Sequence, residues 1–239
     1  MIKFADIHTH INFGVDDGSR SLEESICMMD ALYEEGARIA FATHHYGIRN
    51  KELDPEAAAR RVEILRRIAE DRYENFLIFP GCEIYYRPGI VEELKSGRAP
   101  CLAGSRYVLI EFDPAAKTEK IIKGVRDCMV NGYRPVVAHA DKIYGFLYEP
   151  EDLQKIINAG GYVQINAACL ADNADDYIWA KEQVLAGRVH FIASDCHRME
   201  WRPPEIREGA CSLVKIAGRE KASHILVKNP IKIIRNEVI

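Results

Sequence analysis

Short apolar runs alternate with stretches of helical period along the whole chain. Seven of these runs are rich in Ile, Val, Phe or Tyr and have the length of buried strands. They are Phe4–Ile7, Arg38–Thr43, Leu77–Gly81, Tyr107–Phe112, Pro135–Ala138, Tyr162–Asn166 and His190–Ser194. Strands that alternate with helices pair in parallel, because each helix carries the chain back before the next strand begins. The pattern therefore predicts an α/β fold with a parallel sheet.

Amphipathic helices are predicted between these strands. The first begins at Ser21, which together with Glu24 has the spacing of a capping box, and it ends at Gly36. The later segments of helical period are Pro55–Asp71, Thr118–Asn131, Pro150–Ala159, Tyr177–Ala186 and Glu205–Ala217. No linker interrupts the alternation, and a closed or nearly closed barrel of strand–helix units is its simplest arrangement.

Composition and charge narrow the class of protein. A chain of 239 residues that is 48% hydrophobic can bury one substantial core, so we expect a single domain over residues 1–239. The net charge is -4 and there is no long basic block, which argues against a nucleic-acid partner. The start carries Asp6 where a signal peptide needs an apolar run, and no stretch reaches membrane-spanning length. We therefore expect a cytoplasmic protein with no membrane insertion.

The seven cysteines are widely spaced, without a Cys-x-x-Cys pair, and are expected to be small buried thiols. Two of them, Cys128 before Arg134 and Cys196 before Arg202, match the Cys-x5-Arg spacing of cysteine-nucleophile phosphatases. That class needs a loop of backbone N–H groups around the thiolate. The Cys128 segment instead reaches a predicted helix end, and the Cys196 loop contains no glycine. A cysteine mechanism is therefore the weaker interpretation.

Residue types that bind metals stand at the ends of six of the seven predicted strands. They are His8 and His10, His44 and His45, Glu83, Glu111, His139, and Asp195 and His197. In a barrel the carboxyl ends of the strands share one mouth, so these side chains are expected to converge. A buried cluster of carboxylates and imidazoles is costly unless cations neutralise it, and such donors without thiolate suit zinc, manganese or iron. The number of donors predicts two or three ions with a bridging carboxylate.

Some residues near this cluster have alternative interpretations. Asp17, in the loop Gly14–Gly18, is either a further ligand or part of an Asp-Gly turn. Glu111 taken alone is equally an ion-pair partner. His190 begins a predicted strand and His224 lies in the C-terminal helical region, so we expect structural roles for both.

Ordered motifs around these residues resemble a known family. They are Asp6-Ile7-His8-Thr9-His10, Val15-Asp16-Asp17-Gly18, Ala42-Thr43-His44-His45, Gly81-Cys82-Glu83, Leu109-Ile110-Glu111-Phe112 and Ile192-Ala193-Ser194-Asp195-Cys196-His197. In this order they resemble the PHP (polymerase and histidinol phosphatase) superfamily, and within it the bacterial manganese-dependent protein tyrosine phosphatases of capsule and exopolysaccharide synthesis. The resemblance covers nearly the whole chain and implies a distorted seven-stranded (β/α)7 TIM-like barrel of PHP type.

The resemblance also implies a site for three divalent ions. The ligands would be His8, His10, Glu83 and Asp195 for one ion; Glu83 as a bridge, Glu111 and His139 for a second; and Asp17, His45 and His197 for a third. The Thr-x-His spacing of the family selects His45 rather than His44. Manganese is the favoured metal, with iron, zinc and magnesium as alternatives.

The implied activity is metal-dependent hydrolysis of phosphotyrosine on a protein, with the tail of a bacterial tyrosine kinase as the expected partner. A metal-bridging hydroxide would attack phosphorus, Lys142 and Arg202 would hold the phosphoryl oxygens, and His45 or His197 would relay a proton. Lys142 departs from the family, which has an arginine there and so a bidentate fork for phosphate. Histidinol phosphatase or another small-molecule phosphatase is the alternative activity, and a noncatalytic regulatory module is a further alternative.

The helix carrying Glu23-Glu24-Ser25 has two interpretations. It is either the contact surface of a homo-oligomer or a surface exposed to solvent.

Overall fold

The computed structural model describes residues 2–48 and 54–239 of the chain. Seven strands lie in one sheet in chain order, and each pairs in parallel with the next. Their bounds are β1 Phe4–Thr9, β2 Ala37–Tyr46, β3 Leu77–Tyr85, β4 Tyr107–Glu111, β5 Arg134–Val137, β6 Tyr162–Asn166 and β7 Phe191–Ala193. The predicted seven-stranded α/β barrel is confirmed. It is nearly closed. β2 and β3 run three and four residues further than expected, because the pairing between them continues through His45 and Glu83 to Tyr46 and Ile84.

Helices connect the strands on the outside of the sheet. In the part of the chain that the structure describes they are α1 Leu22–Glu35, α2 Pro55–Arg72, α3 Ile90–Lys95, α4 Thr118–Val130, α5 Tyr144–Tyr148, α6 Asp152–Asn158, α7 Tyr177–Leu185, α8 Arg207–Ser223 and α9 Asn229–Ile234. None of these helices combines the length and the apolar character that crossing a membrane requires, among the residues described.

The ends of α1 and α8 show how local sequence sets helix boundaries. The Ser21 hydroxyl accepts a hydrogen bond from the Glu24 amide at 3.3 Å, and Gly36 ends α1 with a left-handed φ of 117°. The predicted end at Ala217 coincides with a break in α8: Gly218, at φ 78°, has a non-helical backbone, and a second helical segment continues beyond it to Ser223.

Two apolar layers support the site. One fills the barrel below the carboxyl ends of the strands, and its largest members are Ile7, Phe41, Tyr107, Leu109 and Phe191. The other lies between the sheet and the surrounding helices. Burial of such side chains stabilises a fold by roughly 1.5–3 kcal/mol each, and close packing makes these layers rigid. The ligand-type residues at the carboxyl ends of the strands therefore lie on a rigid base.

A bulge in β1 brings both of its histidines into the barrel. Asp6 pairs with Ala40, whereas Thr9 pairs with Ala42, so three steps along β1 match two along β2. An extra residue in a strand reverses the face to which the following side chains point. As a result, Ile7 lies in the interior apolar layer and His8 can still face the site beside His10.

The barrel closes where β1 meets the segment after β7. The Asp195 amide donates to the His8 carbonyl at 2.9 Å, and the His10 amide donates to the Cys196 carbonyl at 2.8 Å. The fully buried Asp6 carboxylate accepts from the backbone amides of Ser194 and His8, both at 3.2 Å. Burial raises the pKa of Asp6 to about 6, although these hydrogen bonds lower it. The seam thus fixes the backbone beside three of the ligand-type residues.

His190 has a structural position at the other end of β7. Its Nδ1 accepts a hydrogen bond from the Val163 amide at 3.2 Å, and its own amide donates to the Val163 carbonyl at 2.9 Å. Burial lowers the pKa of His190 to about 4. Only a neutral ring can accept the bond from Val163, which agrees with the direction of this shift.

We expect His190 to make the fold sensitive to acid. Because the pKa of His190 is lower in the folded protein than the ordinary 6.5, the unfolded chain takes up the proton first, and stability falls as the pH drops from 6.5 towards 4. His190→Asn keeps an acceptor but cannot titrate. Between pH 7 and pH 4.5 the wild-type free energy of unfolding should therefore fall by about 2–3 kcal/mol more than that of the variant. Urea unfolding at the two pH values measures this, and equal losses in both proteins would contradict it.

Candidate metal centre

The ligand-type side chains predicted from the sequence meet at the carboxyl end of the barrel. The structure brings together His8 from β1, His10 directly after it, Asp17 from the following loop, His45 from β2, Glu83 from β3, Glu111 from β4, His139 after β5, and Asp195 and His197 after β7. On β2 to β4 this follows from alternation, since residues two apart face the same side of a strand. Below them on the same faces lie the apolar residues of the barrel interior.

The first group contains His8, His10, Glu83 and Asp195, all buried. Glu83 Oε2 lies 3.3 Å from His8 Nε2 and 3.4 Å from His10 Nε2. Asp195 Oδ1 lies 3.4 Å from each of the same two nitrogens. The two imidazole nitrogens are themselves 3.2 Å apart. Two carboxylate oxygens and two ring nitrogens therefore face one another at contact distance.

The second group shares Glu83 with the first. Glu83 Oε1 lies 2.6 Å from His139 Nε2, and Glu111 Oε1 lies 3.9 Å from the same nitrogen. On the other side His45 Nδ1 is 2.8 Å from Glu83 Oε2 and 3.7 Å from Glu111 Oε2. Glu83 thus presents a different oxygen to each side, which is the arrangement of a bridging carboxylate.

The third group lies towards the loop after β1. Asp17 Oδ1 is 3.4 Å from His45 Nε2 and 3.7 Å from His197 Nε2. His197 also stacks against His10, with the ring centroids 3.8 Å apart. Asp17 therefore lies among the ligand-type residues, as the ligand interpretation requires. His44, the neighbour of His45, is buried at the wall of a separate cavity and is not part of any of the three groups.

The histidine rings are oriented by hydrogen bonds on their far sides. His10 Nδ1 faces Asp16 Oδ2 at 2.7 Å, His197 Nδ1 faces the Asp195 carbonyl at 3.0 Å, and His8 Nδ1 faces the Gln164 side-chain oxygen at 3.2 Å. Each partner is an acceptor, so Nδ1 carries the proton and the Nε2 lone pair points into the cluster. Such outer contacts are those that orient metal-ligating histidines in proteins.

The donor set fits divalent cations. Lone pairs on His8 Nε2 and His10 Nε2 at 3.2 Å would repel each other in the absence of a shared positive partner. The buried His197 Nε2 and Glu83 Oε2 make no hydrogen bond within the described part of the chain. Burial lowers the pKa of His197 to about 3, so its ring is neutral, as a ligand must be. Three overlapping sets of donors lie within 4.8 Å: His8–His10–Glu83, His45–Glu83–Glu111 and His10–His45–His197.

The backbone adopts an uncommon conformation at three residues of the site. His139, Asp195 and Arg202 have φ values of 30°, 52° and 58°, in the left-handed region that favours glycine. Non-glycine residues hold such conformations only where the surrounding structure enforces them, and they concentrate at functional sites. Here they turn the chain sharply just after β5 and β7, which aims the following side chains into the mouth.

Two cations line the mouth, a cavity of about 420 Å³. Arg202 pairs with the Asp195 carboxylate. Lys142 Nζ lies 3.3 Å from the buried Asp141 Oδ2. Burial lowers the pKa of Lys142, but the Asp141 carboxylate more than offsets this and keeps the pKa above its ordinary value. A lysine and an arginine beside a cluster of metal-ligand-type residues favour an anionic ligand such as a phosphoryl group.

Sequence reasoning missed the residues behind the ligands. The Asp16 side chain accepts hydrogen bonds from the His45 and Gly18 amides at 2.9 Å each and so ties the loop to β2. Gln164 and Asn166, on the one strand without a predicted ligand, are also buried beside the cluster. Two amide side chains spaced by two on a buried strand are an available signal for such a role.

The cysteine alternative does not fit the geometry. Cys196 is fully buried in the apolar cluster, and the Arg202 that matches its motif pairs with Asp195. Cys128 lies on α4, also buried in the core. Burial raises the pKa of both thiols to about 12, so neither supplies a thiolate at neutral pH.

Fold and donor set together define the class: a nearly closed parallel barrel with an imidazole and carboxylate metal centre, as in metal-dependent hydrolases. Within that class, the family model for "Capsular polysaccharide synthesis, CpsB/CapC" matches residues 4–235. The chain belongs to this family, and the predicted family is confirmed.

Named relatives support the same assignment. The tyrosine-protein phosphatase CpsB of Streptococcus agalactiae is 32% identical over 98% of this chain and 99% of its own. The tyrosine-protein phosphatase YwqE of Bacillus subtilis is 29% identical over 98% of this chain and 92% of its own. Among solved structures, one described as YwqE from Bacillus subtilis and CpsB from Streptococcus pneumoniae, "unique metal-dependent tyrosine phosphatases", has a TM-score of 0.89. It shares 27% identity and covers 98% of this chain and 96% of its own.

Replacement of Cys196 tests the cysteine mechanism directly. We expect Cys196→Ser and Cys196→Ala to retain phosphatase activity within about threefold of wild type, whereas loss of a true nucleophile costs about 10⁴-fold or more. Steady-state turnover at equal metal loading measures the effect, with Cys128→Ser as the matched buried control. Complete loss in both Cys196 variants, with the fold intact by circular dichroism, would restore the cysteine interpretation.

Proposed function

We propose that this protein is a divalent-metal-dependent tyrosine-protein phosphatase that acts in the cytoplasm on a kinase of a capsule or exopolysaccharide system. The observation that carries the proposal is the convergence of carboxylates and imidazoles from six strand ends on one mouth that also carries Lys142 and Arg202. Membership of the CpsB/CapC family and the names of its phosphatase relatives support the same substrate class.

The proposed metal ligands fall into the three groups described above. They are His8, His10, Glu83 and Asp195; Glu83, Glu111 and His139; and Asp17, His45 and His197. The mixture of nitrogen and oxygen donors favours manganese, iron or zinc over magnesium, which prefers oxygen ligands alone. Manganese is our first candidate, and three ions use every donor of the cluster.

Bound divalent ions would supply Lewis acidity that lowers the pKa of water and neutralises charge on the phosphoryl group. The protein's own cations act beside them. Arg202 can bind two phosphoryl oxygens through its fork, whereas Lys142 contributes a single point charge held in place by Asp141. The apolar walls formed by Pro114, Ala168 and Pro203 leave room for an aromatic ring beyond the phosphate.

The leaving group fits an aromatic substrate. A phenolate has a pKa of about 10 and leaves more readily than an alkoxide, so it requires little protonation. We assign the proton relay to His45 or His197, which both face Asp17 at the open side of the cluster. A ring nitrogen that binds a metal has no lone pair left for a proton, so each of the two histidines can relay the proton only when its Nε2 does not hold an ion.

Self-association stays a separate prediction. Ser25, in the segment proposed for it, is buried and its hydroxyl donates to the Ile11 carbonyl at 2.6 Å. Glu23 is exposed, and Glu24 is bonded to Arg20. Of these three residues, only Glu23 and Glu24 could therefore contribute to a contact between copies, and light scattering measures whether one forms.

Removal of metal should abolish the activity. We expect excess EDTA to stop phosphate release from phosphotyrosine peptides and manganese to restore it. Without the ions, the negative charge on the phosphoryl oxygens is not neutralised and the pKa of the attacking water is not lowered. Glu83→Gln should lower kcat/KM by about 100-fold or more and reduce the amount of bound metal. Loss of a residue that only hydrogen-bonds to a metal ligand already costs about 10- to 100-fold in metal affinity or activity, and Glu83 is a proposed ligand itself. Exposed Glu182→Gln on α7 is the matched control.

The same assay separates the alternatives. A preference for histidinol phosphate over phosphotyrosine peptides would favour the small-molecule phosphatase. Absence of bound metal by elemental analysis would favour a noncatalytic module. Undiminished hydrolysis in excess EDTA would exclude the metal mechanism altogether.

Lys142 sets how tightly the phosphoryl group is held. We expect Lys142→Met to lower kcat/KM roughly 10- to 100-fold, the effect of one charge-assisted hydrogen bond. Lys142→Arg should match or exceed wild type because it adds a second donor. The exposed Lys181→Met on α7 provides the control for loss of a lysine. If Lys142→Met hydrolyses phosphotyrosine peptides as efficiently as wild type, Lys142 does not contact the substrate.

A further inference from the structure

β6 is the one strand that neither carries nor directly precedes a proposed metal ligand, yet two of its side chains make hydrogen bonds to the proposed ligands. Gln164 and Asn166 point into the barrel from this strand and are 0% and 5% exposed. Their side chains lie between β1 on one side and the segments after β5 and β7 on the others. Buried amide groups are retained where all their hydrogen bonds are satisfied, which directs attention to their partners.

One unambiguous donor fixes the orientation of Gln164. The backbone amide of His139 donates to the Gln164 side chain at 2.7 Å, so the atom that it meets is the oxygen. The same oxygen lies 3.2 Å from His8 Nδ1, which must therefore carry a proton. His8 then has its lone pair on Nε2, the atom that faces Glu83, His10 and Asp195.

The amide end of Gln164 continues the chain of hydrogen bonds. Gln164 Nε2 donates to Asn166 Oδ1 at 3.0 Å, and Asn166 Nδ2 donates to Asp195 Oδ2 at 3.2 Å. The other carboxylate oxygen of Asp195, Oδ1, is then the one 3.4 Å from the two β1 imidazoles. From the His139 amide to Asp195, every hydrogen bond in this chain therefore has a fixed direction. If either side-chain amide were flipped, two N–H donors would face each other.

We propose that Gln164 and Asn166 form a relay that positions two metal ligands at once, selecting the tautomer of His8 and the rotamer of Asp195. The inference rests on the proposed metal centre, since it assigns these residues a role in metal affinity. Neither residue touches substrate in this arrangement, so both are positioning residues. Their loss should act on metal binding before it acts on turnover.

The test compares variants of near-equal shape. Gln164→Met removes both polar ends while keeping the length of the side chain. Asn166→Asp keeps the shape of Asn166 but replaces the donor to Asp195 with an acceptor. Gln183→Met is the matched control: Gln183 is also 0% exposed, donates to the Trp179 carbonyl and accepts from Arg188, but on α7.

Manganese affinity is the primary readout, measured by titration calorimetry on full-length protein freed of metal and checked by elemental analysis after dialysis. We expect Gln164→Met and Asn166→Asp each to weaken binding about 10- to 100-fold. Gln183→Met should lower the melting temperature but leave affinity within about twofold. The double variant should lose less than the product of the two single effects, because both residues belong to one network.

Several results would overturn the relay. Wild-type manganese affinity in both β6 variants would remove it, and so would an equal loss of affinity in Gln183→Met, which would indicate general destabilisation. If Gln164→Met does not fold, Asn166→Asp with unchanged affinity is sufficient to reject the proposal. Wild-type protein that binds no divalent metal would instead reject the metal centre itself, and this outcome is distinct from the others.

Discussion

The arrangement of the site depends on one buried carboxylate. Glu83 is 0% exposed, and its two oxygens lie within 3.4 Å of nitrogens from four histidines: His8, His10, His45 and His139. Burial raises the pKa of Glu83, but the facing imidazoles outweigh it and hold the pKa well below its ordinary range. A charge in such a position is tolerated only with compensation. The barrel supplies that compensation from β1, β2 and β5 at once, so three strands must close around β3 before the site exists.

Closure of the barrel and assembly of the site are therefore the same event. The hydrogen bonds that join β1 to the segment after β7 involve His8, His10, Asp195 and Cys196. The first three are proposed ligands, and Cys196 lies between the proposed ligands Asp195 and His197. The buried Asp6 carboxylate stabilises this seam by accepting hydrogen bonds from the backbone amides of His8 on one side and Ser194 on the other. Left-handed backbone at Asp195 and His139 stores strain at the same level of the barrel. Any loosening of the seam would spread directly to the metal centre.

Family membership and the particular chemistry of this chain are separate matters. The CpsB/CapC family is shown by a match to residues 4–235, and relatives about a third identical are tyrosine-protein phosphatases. Lys142 is a feature of this chain against the arginine implied by the resemblance, and its pairing with buried Asp141 keeps a cation at the mouth. At that place the chain therefore has a single point charge instead of the bidentate fork that the resemblance implies.

The sequence by itself determined the strands, their parallel order and the residues that would meet at the mouth. It could do so because period-two alternation and the shared carboxyl edge of parallel strands are local rules, as the pairs Phe41 with His45 and Leu109 with Glu111 illustrate. Only the tertiary structure decided that Asp16 supports His10 and that Gln164 and Asn166 lie behind His8 and Asp195. Those contacts join residues far apart in the chain. They depend on the β1 bulge and on the width of the closed barrel, which no local pattern encodes.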